Sequence, residues 1–170
     1  HCVTRRQRQM CIRDSFYSNS DAENALDKIL SVTGLKKNFT LTACDGINNA
    51  MAISLKGERY ILYDKNFMKN IGGSSSNIAI LAHEIGHHLN NHARDITMYV
   101  GGVIEPDSKE VSRKQELEAD EFAGFVMASL GYSLDKAKKP FYRISSNKDD
   151  FKSSHPSRDK RLASITKGYN

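Results

Sequence analysis

The chain has 170 residues, 39% hydrophobic and 26% charged, the balance of one soluble globular domain able to bury a core. Its longest apolar stretches fall far short of the roughly 20 residues that cross a bilayer, so no transmembrane helix is expected. The formal charge of +5 hints at an anionic partner, but residues 1–15 hold four Arg and one Asp and leave only +2 for residues 16–170, which removes most of the case for nucleic-acid binding.

Residues 1–15, HCVTRRQRQMCIRDS, lack helix or strand periodicity and crowd Arg and Gln together as nothing later does. They resemble translated adapter sequence ahead of a truncated gene, and we read them as a non-native segment or a disordered basic tail, with a single domain over 16–170. On that reading the native start is missing, and with it any signal peptide or lipid anchor. The compartment stays open between bacterial periplasm or cell envelope and cytoplasm. Cys2 and Cys11 lie in this segment and Cys44 stands alone in the rest, so no disulfide framework is expected. Without a CxxC pair, any metal falls to histidines and carboxylates.

Ser20 and Glu23 form a capping-box pattern, and Ala22, Leu26, Ile29 and Leu30 recur at helical spacing until Gly34, predicting a helix over 20–33. Three β-rich runs follow at 39–44, 50–55 and 59–63, the last two joined by the turn-like Lys56-Gly57-Glu58. They predict a small antiparallel sheet. After the loop at 72–77, ending in good N-cap residues, a helix of about 16 residues is expected to run through His92. A loop around Gly101-Gly102 and Pro106 leads to a second strong helix, roughly 109–130, stopped by Gly131. The polar stretch 145–154 is expected to be a loop, with Pro156 in the first turn of a terminal helix.

The chemistry concentrates in His83-Glu84-Ile85-Gly86-His87, an HExxH pattern on a predicted helix. Four residues turn a helix by about 400°, which places the two imidazoles on neighbouring turns of one face, able to share one ion. Ile78, Leu81, Ile85 and Leu89 form a separate packing stripe. A catalytic zinc ion takes three protein ligands and keeps one position open, and the later helix supplies a third in Glu116. Asp120, four residues on, shares its face with Ala119, Ala123 and Met127, small enough for close approach. It is placed to accept a hydrogen bond from the free nitrogen of a ligand histidine. Glu118 points away toward solvent. His92 follows His87 by five where the metzincin pattern needs six, so it reads as a helix-end, partly buried residue, and His88 as a surface one.

LAHEIGHHLNNH at 81–92, RKQELEADEFAGFVMASLGYSLDKA at 113–137 and SHPSRDKRLASI at 154–165 together resemble family forty-eight of the metallopeptidases, which includes the CAAX prenyl proteases, HtpX and BepA. The resemblance covers about 48–165 and implies an α+β zincin-like fold of the gluzincin type, with a small sheet packed beside an HExxH helix and a Glu-ligand helix. It implies one Zn²⁺ on His83, His87 and Glu116, with protein or peptide substrates. It places Asn49 and Ala50 on an edge strand that holds extended substrate by strand addition. His155 would lie near the site and donate to the oxyanion, with Arg161 following, either paired with a nearby carboxylate or coating the last helix. The hydrophobic spans of the integral-membrane members are absent from these 170 residues. A second resemblance is to the ImmA/IrrE-like regulatory peptidases, which also pair HExxH with a later Glu-bearing helix; Gly131-Tyr132 and His155-Pro156 favour the first.

These residues imply hydrolysis of peptide bonds by metal-activated water with Glu84 as general base. The rival is a zinc-stabilised protein-binding module without activity. Glu84 counts against it, because a structural site needs no base and fills its fourth position. Oligomeric state is not legible.

Overall fold

A computed structural model describes residues 19–92, 94–95, 109–147, 153 and 155–170. The expectations for residues 1–15 and for the loop around Gly101-Gly102 and Pro106 fall outside them, as does part of the 145–154 stretch.

Helix α1 (Asn19–Thr33) buries Leu26 and Ile29 and ends where Gly34, at φ 66°, returns its N–H to the Leu30 carbonyl. Strands β1 (Thr40–Ala43), β2 (Ala50–Leu55) and β3 (Glu58–Tyr63) follow. Lys56 and Gly57 close the β2–β3 hairpin with φ of 53° and 81°, the two positive values a type I′ turn requires. A two-residue β4 (Arg94–Asp95) completes the sheet, in the order β1-β3-β2-β4.

That sheet is mixed, which corrects the antiparallel expectation. Only β2 and β3 pair antiparallel; β1 is parallel to β3, and β4 to β2. Residues 44–49 turn the chain around without pairing β1 to β2. The hairpin's return strand β3, which runs the same way as β1, therefore takes the neighbouring place. The turn is held by Cys44 N–H on the Tyr63 carbonyl and Asp64 N–H on the Asn49 carbonyl. Cys44 is buried and disulfide-bonded, which the cysteine spacing did not foretell, although a lone bonded cysteine among the described residues is no disulfide framework.

A short helix α2 (Lys65–Asn70), not foreseen, starts on Asp64. One Asp64 oxygen caps it by accepting from Asn66 and Phe67 N–H, and the other accepts from Gly46 and Asn48 N–H in the loop after β1.

Helix α3 (Ser74–Leu89) runs through the middle of the molecule, packed by α1, by β2 and by two later helices. It stops at Leu89, short of His92. Asn91, at φ 56°, turns the chain, and the N–H groups of Asn91 and His92 fold back onto the carbonyls of His88 and His87, a Schellman closure. Ile78, Leu81 and Ile85 are buried as the stripe requires, but Leu89 is 42% exposed because it lies in the last turn, past the core.

Helix α4 (Lys109–Ser129) ends at Gly131, at φ 73°. It meets α3 closely: a Cβ on Gly86 would stand 3.0 Å from the Ala119 Cα. Helix α5 (Leu134–Ile144), also unforeseen, carries Pro140 inside it and packs Ala137 and Phe141 inward. Helix α6 (Arg158–Tyr169) begins after Pro156, which therefore precedes the helix instead of occupying its first turn. It crosses α4 where Cβ atoms on Gly124 or Gly168 would collide with the Ile165 or Glu121 backbone. One sheet face, with Leu41, Ala43, Ile61 and Tyr63, joins the helical core; Cys44, Ile53 and Leu62 cluster on the other. Among the described residues no helix is long and apolar enough to cross a membrane.

Candidate metal centre

His83 and His87 stand on adjacent turns of α3 with their Nε2 atoms 3.1 Å apart. Glu116, in the first half of α4, faces both: Oε2 is 3.6 Å from His83 Nε2 and Oε1 is 3.4 Å from His87 Nε2. One ligand atom from each of the three lies within 4.8 Å of the others. Two imidazole nitrogens and a carboxylate, set close by the Gly86–Ala119 contact, could hold one divalent metal ion with a position left open.

The Glu116 carboxyl is held well below its usual range. Burial acts to raise it, but contacts from His155 and His87 and the charges of His83 and Arg161 outweigh that. Asp120, one turn further along α4 and fully buried, lies with Oδ1 2.8 Å from His83 Nδ1. This is a close contact of carboxylate and ring that makes no hydrogen bond. The stronger partner of Asp120 is Arg161 of α6, whose Nε and Nη2 each bond one carboxylate oxygen at 2.7 Å. Arg161 is buried, lies 3.4 Å from Glu116 Oε2, and stacks its guanidinium 5.1 Å from the centre of the Phe141 ring. Of the two readings of Arg161, the structure shows the carboxylate pair.

Glu84 is 7% exposed and turned toward the sheet, where its Oε2 accepts the Ala52 N–H at 2.8 Å. Burial pushes its carboxyl up to about 7, with His83 lowering it, Glu116 raising it, and the Ala52 bond lowering it. His155 is the exposed member of the group, with Nδ1 3.5 Å from Glu116 Oε2 and a side chain 62% exposed.

Asn49 and Ala50 are not on an edge strand in the sense expected. Strand β2 lies inside the sheet order, with β4 pairing Ile53 and Ser54. The Asn49 carbonyl is already taken by Asp64 N–H. Ala50 is buried and opposite Tyr63, but it precedes the stretch that β4 covers. His88 is not a surface residue. It is 2% exposed, stacks on Phe39 and donates Nε2–H to the Tyr60 carbonyl, and burial lowers its pKa despite that bond. His92 lies just beyond α3, part-buried, 3.2 Å from Glu118.

Three participants escaped the sequence reading. Ala52 acts through its backbone, which no side-chain motif reveals. Phe141 lies on a helix masked by Pro140; its ring contacts both His83 and Arg161. Gly86 occupies a free position inside HExxH, yet its missing side chain sets the distance between the helices. A family model described as Peptidase family M48 matches residues 19–106 and 94–168. No curated protein matches the chain.

Proposed function

Since the chain belongs to peptidase family M48, we propose that it is a zinc-dependent endopeptidase acting on protein or peptide substrates, with His83, His87 and Glu116 as the ligands. The observation that carries this reading is the convergence of two histidines and one carboxylate with a second carboxylate, Glu84, beside them and outside the ligand group. A binding module stabilised by metal would have no use for that second carboxylate.

Zinc, when bound, makes water more acidic and polarises the scissile carbonyl. Glu84 takes the proton from the attacking water and returns it to the leaving amine. His155, exposed and next to Glu116, donates to the oxyanion. Arg161 grips Asp120 through two bonds and so holds its negative charge beside the Nδ1 side of His83. Extended substrate lies along β2 at Ala50, which no other strand among the described residues pairs on the side away from β3, and bonds to its backbone; Asn49 contributes no carbonyl, because Asp64 occupies it.

Metal analysis of the purified chain, paired with casein and peptide-library cleavage, tests the proposal. One zinc ion per chain is expected, with cleavage abolished by chelator and restored by zinc. Stoichiometric zinc without cleavage of any peptide would move the reading to the binding module.

A further inference from the structure

The Ala52 amide has an unusual place in the sheet. Asn49 gives its carbonyl to Asp64, at the end of β3, so the odd-numbered residues of β2 turn their backbone groups toward β3 and the even-numbered ones turn away. Ala50 and Ala52 therefore present N–H and C=O on the opposite side of the strand. There β4 pairs only Ile53 and Ser54, and among the described residues no strand covers 50–52. The Ala52 N–H meets Glu84 Oε2 at 2.8 Å, between residues 8% and 7% exposed.

A glutamate side chain has three rotatable bonds and needs fixing before it can serve as a base at a defined place. A backbone N–H in a paired strand has no such freedom. Bonded to one carboxylate oxygen, it sets the plane of the group and leaves the other oxygen, Oε1, to take a proton. We propose that the Ala52 N–H is the positioning group for Glu84, so that the strand along which substrate lies also aims the base. The proposal rests on Glu84 being the base.

Amide exchange read residue by residue tests the tether without any turnover. In the parent and in Glu84→Gln, which keeps an oxygen acceptor, Ala52 should exchange slowly. In Glu84→Ala it should exchange roughly 10–100-fold faster, the worth of a charge-assisted hydrogen bond, while Met51 and Ile53 keep their protection. Unchanged exchange at Ala52, or equal acceleration at all three residues, overturns the proposal. Kinetics then separate positioning from packing. Ala52→Pro removes the N–H and should lower kcat roughly 10–100-fold with KM within about twofold, whereas Ala52→Gly, which keeps the N–H, should lower it by less than about threefold. Equal losses in both variants would assign the effect to the Ala52 side chain and sink the idea. If the zinc-loaded parent cleaves no peptide while Ala52 protection still depends on residue 84, the peptidase reading fails and the tether does not.

Discussion

Two carboxylates, the buried Asp64 and the part-buried Glu116, are both held below the ordinary carboxylate range, and in both burial works the other way. Their surroundings differ in kind. Asp64, at the end of β3, is met by four backbone N–H groups, two on each oxygen, at 2.8 to 3.1 Å. Glu116, between helices, is met by the side chains of His83, His87, His155 and Arg161 at 3.4 to 3.6 Å, beyond the roughly 2.7–3.2 Å of a good hydrogen bond. Backbone donors saturate Asp64 and leave it nothing further to bind, so it serves the fold. Glu116 has positive and dipolar company but uncommitted lone pairs, and that spare capacity is what a metal ion would use.

If this division is right, changes at the helical centre should cost activity and leave stability, and changes at Asp64 should do the reverse. The largest effect belongs to Glu84→Gln, for which a fall in peptidase turnover of roughly 10²–10⁴-fold is expected, with zinc content and thermal midpoint unchanged. Near-parental turnover would remove Glu84 from the mechanism. Asp120→Asn comes next. It keeps the shape but gives up the charge facing Arg161 and His83, and zinc affinity should fall roughly 10–100-fold, measured by competition with a chelating dye. If zinc affinity held while the chain unfolded more easily, Asp120 would belong with Asp64 on the structural side.

The helical centre was largely legible beforehand because its information is local. Positions 83, 87, 116 and 120 lie four apart in pairs, and helical period alone places each pair on one face. The sheet side was not legible in the same way. The burial of His88 depends on the Tyr60 carbonyl and the Phe39 ring, both brought from distant sequence. The parallel pairing of β1 with β3 depends on which strand becomes its neighbour, and alternation within a strand does not encode that. Asp64 carries no signal of its own in the sequence, since two of its four bonds close on a loop 16 and 18 residues earlier. Helix α5 was not foreseen: Pro140 disfavours a helix interior, and packing of Ala137 and Phe141 carries the helix past it.

Asp64→Asn turns the comparison round. The amide keeps one acceptor oxygen but sets an NH₂ where two backbone N–H groups now donate, so a loss of about 1–3 kcal/mol in unfolding free energy is expected, with zinc content unchanged. Urea titration of both proteins measures it, and a drop in zinc content at equal stability would break the division.

The smallest effect is the pH dependence of that difference, and its sign follows from the lowered Asp64 pKa. Burial would raise the carboxyl above 3.8, and the bonds from Asn48, Phe67, Gly46 and Asn66 together pull it below. A group whose folded pKa is depressed contributes stability that is present above the unfolded value and is lost as pH falls through the folded one. Asparagine does not titrate. The stability gap between parent and Asp64→Asn should therefore hold constant between about pH 8 and 6 and narrow only below about pH 4. A gap that narrowed on raising the pH instead would mean that a protonated Asp64 stabilises the fold, and the four donors could not then be its reason for being there.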